Sequence, residues 1–195
     1  MATISSAKLA PIPFFSFRKS SLELLPVSMS GVRMGERALQ IAIDDPALTG
    51  AIAAKVGLSG HAAIAVADEG GAARAREAAA KAGALLDVRV SPLHSLPFAD
   101  AAFDVAVIHA MSGWLASMDE SMRVATLRQV HRVLRSGGRA VIVEAGARGG
   151  VRGLIGGAPV GDGAATVAAL TTAGFRAARI LAEREGYRFV EGTKP

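Results

Sequence analysis

The sequence offers few side chains for acid–base chemistry, and one of its four histidines is distinguished by its position. His109 follows the apolar run FDVAVI at residues 103–108. It is therefore expected at the carboxyl end of a strand, the edge at which open α/β sheets place their sites. An imidazole there would serve as a general base toward a hydroxyl or an amine. The alternative is a packed or hydrogen-bonded histidine at a strand end.

Metal binding is not predicted. His61 and His94 are expected in loops and His131 in a helix, and no pair of histidines has the H-E-x-x-H spacing of a zinc site. Asp44 and Asp45 form an adjacent acidic pair that would attract a divalent cation. Because Pro46 follows them, the same pair is also typical of a capped helix start.

Composition excludes several other classes of protein. The chain has no cysteine, so disulfides, thiolate zinc sites and cysteine nucleophiles are ruled out. Neither a G-x-S-x-G elbow nor a phosphate-binding G-x-x-x-x-G-K-[ST] loop occurs. The net charge of +5 is spread along the chain without a basic block, so no nucleic-acid partner is expected. No apolar run reaches the roughly 18 residues of a membrane-spanning helix, so no transmembrane segment is predicted.

The first 34 residues are set apart from the rest of the sequence. Residues 1–32 are rich in serine and more basic than acidic, a composition that resembles an organellar transit peptide. We interpret them instead as an N-terminal arm whose second half, residues 18–29, forms a helix packed on the domain. Its prolines and aromatic residues would then contact an apolar surface: Pro11, Pro13, Phe14, Phe15 and Phe17. With 195 residues, the remainder fits a single domain, residues 35–195.

Strand and helix patterns alternate through this domain. Short apolar runs predict parallel strands, and the segments between them predict helices that end at glycine. The predicted strands are residues 38–43, 62–66, 86–90, 103–108 and 139–144. The predicted helices are residues 46–56, 72–82, 119–134 and 164–173, and the expected closing hairpin pairs residues 175–181 with 187–191. This order predicts an α/β fold with a mostly parallel seven-stranded sheet, helices on both faces and a C-terminal antiparallel hairpin.

Three segments carry a resemblance to a known family. LPFADAAFDV at residues 96–105 and LRQVHRVLRSGGR at residues 127–139 resemble two signatures of the class I S-adenosylmethionine-dependent methyltransferases, in particular methyltransferase type 11 and the enzymes related to quinone biosynthesis. Gly174-Phe175 with YRFV at residues 187–190 is similar to the end of that family's domain. The resemblance covers residues 35–195 and implies a Rossmann-like class I fold.

The resemblance also implies a cofactor loop of the form D-x-G-x-G-x-G, which this sequence departs from. Gln40 stands at the acidic position, and Ala42, Asp44 and Pro46 stand at the three glycine positions. A methyl group, a negative charge and a missing amide donor each oppose the binding of the cofactor's carboxylate.

Two further cofactor contacts of the family are altered. In the family, an acidic residue accepts hydrogen bonds from the ribose hydroxyls. Val66 stands at that position here, and Asp68 and Glu69 follow two and three residues later. Either they take over the ribose in a shifted register, or they are solvated carboxylates that open the next helix. The family commonly has an aspartate that contacts the adenine amino group, and Pro92 stands at that position in this sequence. The preceding Ser91 is a poor substitute for that aspartate.

Three functions follow as expectations. The first is a degenerate, non-catalytic methyltransferase relative, with no cofactor and with a structural or interaction role. The second is an active S-adenosylmethionine-dependent enzyme that acts on a small molecule, with His109 as the base. A third reading is a binding module for another ligand in the same cleft. A protein partner or self-association through residues 1–34 is expected, as is a cytoplasmic location, with organellar import as the alternative.

Overall fold

The computed structural model describes residues 25–146 and 162–195. Six helices lie in these ranges: α1 (Leu25–Met29), α2 (Pro46–Val56), α3 (Glu69–Lys81), α4 (Trp114–Ser117), α5 (Glu120–Val133) and α6 (Gly163–Thr172). Seven strands accompany them: β1 (Arg37–Ile41), β2 (His61–Val66), β3 (Asp87–Val90), β4 (Phe103–Ala110), β5 (Leu134–Ala145), β6 (Arg176–Arg184) and β7 (Tyr187–Thr193).

The strands form one sheet in the order β3-β2-β1-β4-β5-β7-β6. The first five strands are parallel, and β7 runs antiparallel to both β5 and β6. This architecture confirms the predicted seven-stranded, Rossmann-like fold with a C-terminal hairpin.

Side chains alternate between two faces of the central strands, and each face is covered by helices. Leu39 of β1 packs in a cluster with Leu127 of α5 and Leu170 of α6. The neighbouring Ala38 packs in a second cluster with Ile52 of α2 and Val27 of α1. Because near-continuous apolar strands bury both of their faces, the sheet lies in the middle of the molecule.

Helix starts agree with the capping residues in the sequence. Asp45, Asp68, Asp119 and Asp162 each accept a hydrogen bond from the backbone of the first helical turn that follows. A side-chain oxygen at this position satisfies an amide that has no partner within the helix. The helix predicted from residue 72 therefore begins earlier, at Glu69.

Three other expectations need correction. The strand predicted from residue 139 begins at Leu134, because the serine–glycine turn is a bulge within β5 whose Gly137 amide donates to the Lys194 carbonyl. His61, expected in a loop, is the first residue of β2. Helix α4 was not predicted, since four residues are too short to show a period.

The N-terminal segment is described only from Leu25 onward. Helix α1 contains the last part of the helix expected over residues 18–29, and residues 18–24 lie outside the described residues, as does most of the glycine-rich stretch 146–163. Val27 and Val32 are fully buried against the domain. No helix in the described ranges is long and apolar enough to cross a membrane.

Candidate functional site

The loop after β1 keeps a left-handed backbone at its first residue. Ala42 has φ of +63°, although an L side chain disfavours this region by roughly 1–2 kcal/mol. Its amide donates to the Ala65 carbonyl of β2 at 2.9 Å, which holds the turn in place. The loop therefore retains a conformation suited to glycine while carrying a methyl group.

The amino end of α2 is occupied by the chain's own carboxylate. Asp45 Oδ1 accepts hydrogen bonds from the amides of Ala47 at 2.8 Å and Leu48 at 3.4 Å. Pro46, the first helical residue, has no amide to offer. A helix N-terminus is an anion site because its amides and dipole favour negative charge, and here Asp45 already fills it.

Asp44 connects this loop to the loop after β4. Its two carboxylate oxygens accept hydrogen bonds from the Ser112 hydroxyl at 2.8 Å and the Ser112 amide at 3.0 Å. Ser112 lies 68 positions away in sequence, and nothing in its spacing from Asp44 suggests the contact. The two loops are thus tied together at the carboxyl edge of the sheet.

His109 and Gln40 form a buried pair beneath these loops. Gln40 Nε2 donates to the Thr49 carbonyl of α2 at 3.1 Å, and Gln40 Oε1 lies 2.9 Å from His109 Nε2. Because Oε1 can only accept, His109 Nε2 carries the proton and Nδ1 has a lone pair. That Nδ1 atom is buried without a hydrogen-bond partner among the described residues.

Burial decides the charge state of His109. It lowers the pKa of this imidazole to about 4, against the opposing effect of the Asp44 and Asp45 carboxylates. A general base works best when its pKa is near the working pH. His109 is 1% exposed and neutral near pH 7, so its surroundings match the packed, hydrogen-bonded alternative better than the base.

The ends of β2 and β3 carry little that would hold a ribose or an adenine. Val66 is buried, and the Asp68 carboxylate receives the Gly71 amide at 2.7 Å as the cap of α3. Glu69 is exposed and lies 3.8 Å from Arg76. The amide of Ser91 donates to the Val66 carbonyl at 3.0 Å, and the Ser91 hydroxyl is buried without a partner in the described part of the chain.

A second buried polar group lies at the carboxyl end of β5 and was missed in the sequence. Glu144 accepts a hydrogen bond from the Thr166 hydroxyl of α6 at 2.6 Å and lies 3.7 Å from Arg188 of β7. Burial raises the pKa of Glu144 despite these partners. In the sequence, Glu144 could have been noticed as an acidic residue at the end of a predicted apolar strand.

Metal chemistry has no support in the described ranges. No group of three or more histidine, aspartate or glutamate side chains there is arranged to hold an ion. The acidic pair of Asp44 and Asp45 is divided between a serine and a helix terminus. His131, on α5, packs edge-on against Phe175 with ring centroids 5.0 Å apart, which is a packing role.

The two family signatures are joined by one side chain. Arg132, in the second signature, donates to the carbonyls of Leu96 at 2.9 Å and Phe98 at 2.8 Å and to the Asp100 carboxylate at 2.6 Å. The first signature is therefore the loop that Arg132 holds at the entry to β4. Both signatures report on the architecture of the domain rather than on its chemistry.

Comparison with known proteins agrees with this architecture. A family model described as a methyltransferase domain matches residues 47–142. These residues extend from α2, the helix that follows the loop after β1, to the middle of β5. The fold and this match define a class I methyltransferase domain. Residues 47–142 thus match the methyltransferase domain family, and the fold is that of the class I methyltransferases.

Solved structures resemble the fold at low sequence identity. A SAM-dependent methyltransferase from Aquifex aeolicus is 18% identical with a TM-score of 0.71, and the match covers 87% of each chain. PigF with SAH is 20% identical with a TM-score of 0.62, covering 82% of this chain and 51% of PigF.

The [4+2]-cyclase SpnF is also 20% identical, with a TM-score of 0.62 and coverage of 88% and 78%. A comparison with curated proteins gives no significant match. Because one neighbour is named a cyclase, the likeness establishes the fold and leaves the chemistry to the site.

Proposed function

We propose that this protein is a methyltransferase fold retained without its cofactor, a non-catalytic family member with a structural or interaction role. The observation that carries the proposal is the Asp45 carboxylate on the amides of Ala47 and Leu48. It fills, with negative charge, the helix terminus that the family resemblance assigns to the carboxylate of S-adenosylmethionine.

Electrostatics oppose the cofactor at this place. A second carboxylate about 4 Å from Asp45 or Asp44 would meet a repulsion of up to roughly 4 kcal/mol near a protein surface. Each 1.4 kcal/mol corresponds to about a tenfold loss of affinity. At this upper bound a micromolar dissociation constant would become about millimolar.

The other contacts of the cofactor do not compensate. Val66 has no acceptor for ribose hydroxyls, and the nearest carboxylate in the sequence, Asp68, is already used as a helix cap. Pro92 offers the adenine no side-chain acceptor. The residues present therefore do not fit S-adenosylmethionine, and we derive no methyl-transfer step.

Titration with S-adenosylmethionine tests the proposal. We expect no rise in melting temperature up to millimolar cofactor, and no heat of binding by calorimetry. A dose-dependent shift that fits a micromolar constant would refute the proposal.

A matched pair of variants sharpens the test. Asp44→Gly with Asp45→Ser removes both charges and keeps a neutral cap on α2, so cofactor affinity should rise at least tenfold. Asp119→Ser makes the same change at the cap of α5, away from the loop, and should leave it unchanged. Equal affinity in all three proteins would show that the carboxylates are not what excludes the cofactor.

A second candidate is an active enzyme with a divergent site. The left-handed backbone at Ala42 supports it, because the loop keeps the shape that glycine gives it. In that case Asp68 or Glu69 binds the ribose and His109 assists the nucleophile. Incorporation of a labelled methyl group into a small-molecule acceptor, abolished by His109→Ala in a folded protein, would establish this alternative.

A further inference from the structure

Three apolar side chains are exposed at the amino edge of the sheet, the edge where β1, β2 and β3 begin. Met34, Leu58 and Leu85 are 77%, 88% and 78% exposed, more than any other large apolar residue in the part of the chain that the structure describes. They lie on three separate loops, before β1, between α2 and β2 and between α3 and β3. Single exposed apolar residues are common, whereas a cluster of them is typical of an interaction site.

The three side chains form one surface. Leu58 and Leu85 line the same depression, which has a volume of about 320 Å³. Met34 lies beside it, because its Cγ atom would be 3.4 Å from a Cβ atom on Gly57, the residue before Leu58. We call these three side chains the amino-edge patch.

Cationic side chains without an ion-pair partner lie around the amino-edge patch. Arg33 is exposed and directly precedes Met34. Arg37 and Lys55 donate hydrogen bonds to neutral backbone carbonyls, at 2.6 and 3.4 Å. In the described part of the chain none of these three cations forms a salt bridge, so their positive charge is available to an anionic partner.

The two edges of the sheet differ in charge. The carboxylates at the starts of β1, β3 and β4 are each paired with an arginine: Glu36 with Arg139, Asp87 with Arg89, and Asp104 with Arg135. At the carboxyl edge, Asp44, Asp45 and Asp68 accept hydrogen bonds from neutral amides and a hydroxyl, so their negative charge is not cancelled. An anionic surface would therefore attract the amino edge and repel the carboxyl edge.

The size of the amino-edge patch favours a bilayer over a folded protein. Three side chains of this kind offer on the order of 300 Å² of apolar surface, whereas each partner in a stable protein–protein interface buries about 800 Å². A second copy seated on the patch would also bring the same cations against one another. A bilayer sets no such requirement, because a few apolar side chains can enter its interface while the rest of the domain stays in water.

We propose that the amino-edge patch binds the surface of an anionic lipid bilayer. Its apolar side chains enter the interface, and the three cations around it lie at the lipid phosphates, so that burial and charge act together. The carboxyl edge then faces away from the lipid. This inference is independent of whether the domain binds a cofactor, because the loop after β1 lies at the other end of that strand.

Sedimentation with vesicles tests the proposal on the full-length chain. We expect the protein to sediment with vesicles of equal parts phosphatidylcholine and phosphatidylserine and to remain in solution with pure phosphatidylcholine. Three cations near an anionic surface correspond to at least about a tenfold difference in partition coefficient. Equal partitioning into both kinds of vesicle, or partitioning into neither, would overturn the proposal.

A fluorophore at each edge tests the orientation. Because the protein has no cysteine, Ser59→Cys beside Leu58 and Ser117→Cys on α4 each create a single labelling site at an exposed position. With the phosphatidylserine vesicles, the emission of an environment-sensitive label at position 59 should shift to shorter wavelength, and that of a label at position 117 should not. The reverse result, or a shift at neither position, would refute the proposal.

Two double variants provide the matched control. Leu58→Ser with Leu85→Ser removes two exposed side chains of the patch and should lower the partition coefficient at least about tenfold, with an unchanged circular dichroism spectrum. Val90→Ser with Met122→Ser removes exposed apolar side chains near the carboxyl edge and should leave the partition coefficient unchanged. A loss in both double variants, or in neither, would contradict the assignment.

Sedimentation velocity without lipid distinguishes a bilayer from a second copy. The unmodified protein and Leu58→Ser with Leu85→Ser should sediment alike. A dimer that forms only in the unmodified protein would assign the amino-edge patch to another copy of the chain and overturn the proposal.

Discussion

Single residues in the loop after β1 explain how the fold persists although the sequence departs from the family pattern. Asp45 caps α2, Asp44 holds Ser112, and Ala42 keeps the left-handed turn. Each residue satisfies a local structural need. The loop is therefore held by the chain's own side chains and backbone.

Replacing Ala42 by glycine should stabilise the protein. Glycine removes the cost of a positive φ but adds backbone entropy to the unfolded chain, so the net gain is about 0.5–1 kcal/mol. Urea unfolding followed by circular dichroism measures it. Ala80→Gly, within the regular helix α3, should instead lower the unfolding free energy by about 1 kcal/mol. If both variants stabilise the protein, or both destabilise it, the explanation is contradicted.

His109 gives stability a dependence on pH. Burial lowers its pKa to about 4 in the folded protein from 6.5 as an isolated group, so the unfolded chain binds the proton more readily. Stability is therefore fully present above pH 6.5 and decreases as the pH falls toward 4. Between pH 7 and 5 this residue should account for a loss of about 2 kcal/mol.

Urea unfolding at the two pH values checks this prediction. In His109→Gln the part of the loss due to His109 should disappear, whereas His94→Gln, at an exposed position, should lose as much as the unmodified protein. If His109→Gln loses as much stability between pH 7 and 5 as the unmodified protein, other groups cause the loss.

At the scale of elements, the joints between helices and strands depend on a few polar side chains. Arg132 attaches the loop at residues 96–100 to α5 through two carbonyls and a carboxylate. This contact orients the entry to β4, the strand that carries His109. The geometry of the site thus depends on a residue far from it.

Arg132→Lys should weaken this joint. A lysine ammonium cannot reach all three acceptors in one geometry, and two lost hydrogen bonds correspond to about 2 kcal/mol of unfolding free energy. Chemical denaturation is the measurement. Arg128→Lys, exposed on the same helix, should change stability by less than about 0.5 kcal/mol, and a similar loss there would indicate a general effect on α5.

For the whole molecule, one contact connects the residues around α1 with β5 of the sheet. Arg139 of β5 donates to both carboxylate oxygens of Glu36, at 3.2 and 3.1 Å, and to the Gly31 carbonyl. A guanidinium that donates to both oxygens of a carboxylate forms strong hydrogen bonds. This contact joins residues 103 and 108 positions apart in the chain and fixes the place where α1 lies.

Arg139→Gln should release this segment. We expect about 2 kcal/mol lower stability and faster hydrogen exchange at residues 25–36, measured by mass spectrometry. Arg179→Gln removes an exposed pair with Glu191 and should lose less than 1 kcal/mol without changing exchange there. Unchanged exchange in Arg139→Gln would show that other contacts hold α1 without Arg139.

Local patterns in the sequence predict the fold, because apolar runs, acidic caps and glycine stops act over a few neighbouring residues. These local signals located the seven strands, and they located α2, α3, α5 and α6 to within a few residues. They failed where a tertiary contact determines the local structure. At the bulge of residues 135–138, the Gly137 amide donates to the carbonyl of Lys194, the residue that follows β7.

Only the folded chain shows which groups the site residues contact. Asp44 finds Ser112, and Gln40 finds His109, across 68 and 69 positions of sequence, and no spacing rule predicts such pairs. Burial then sets the charge of His109, because the cost of desolvation depends on everything packed around a group. The residue types suggest chemistry at the sheet edge, and in the structure these residues contact one another, a helix end and a neighbouring loop.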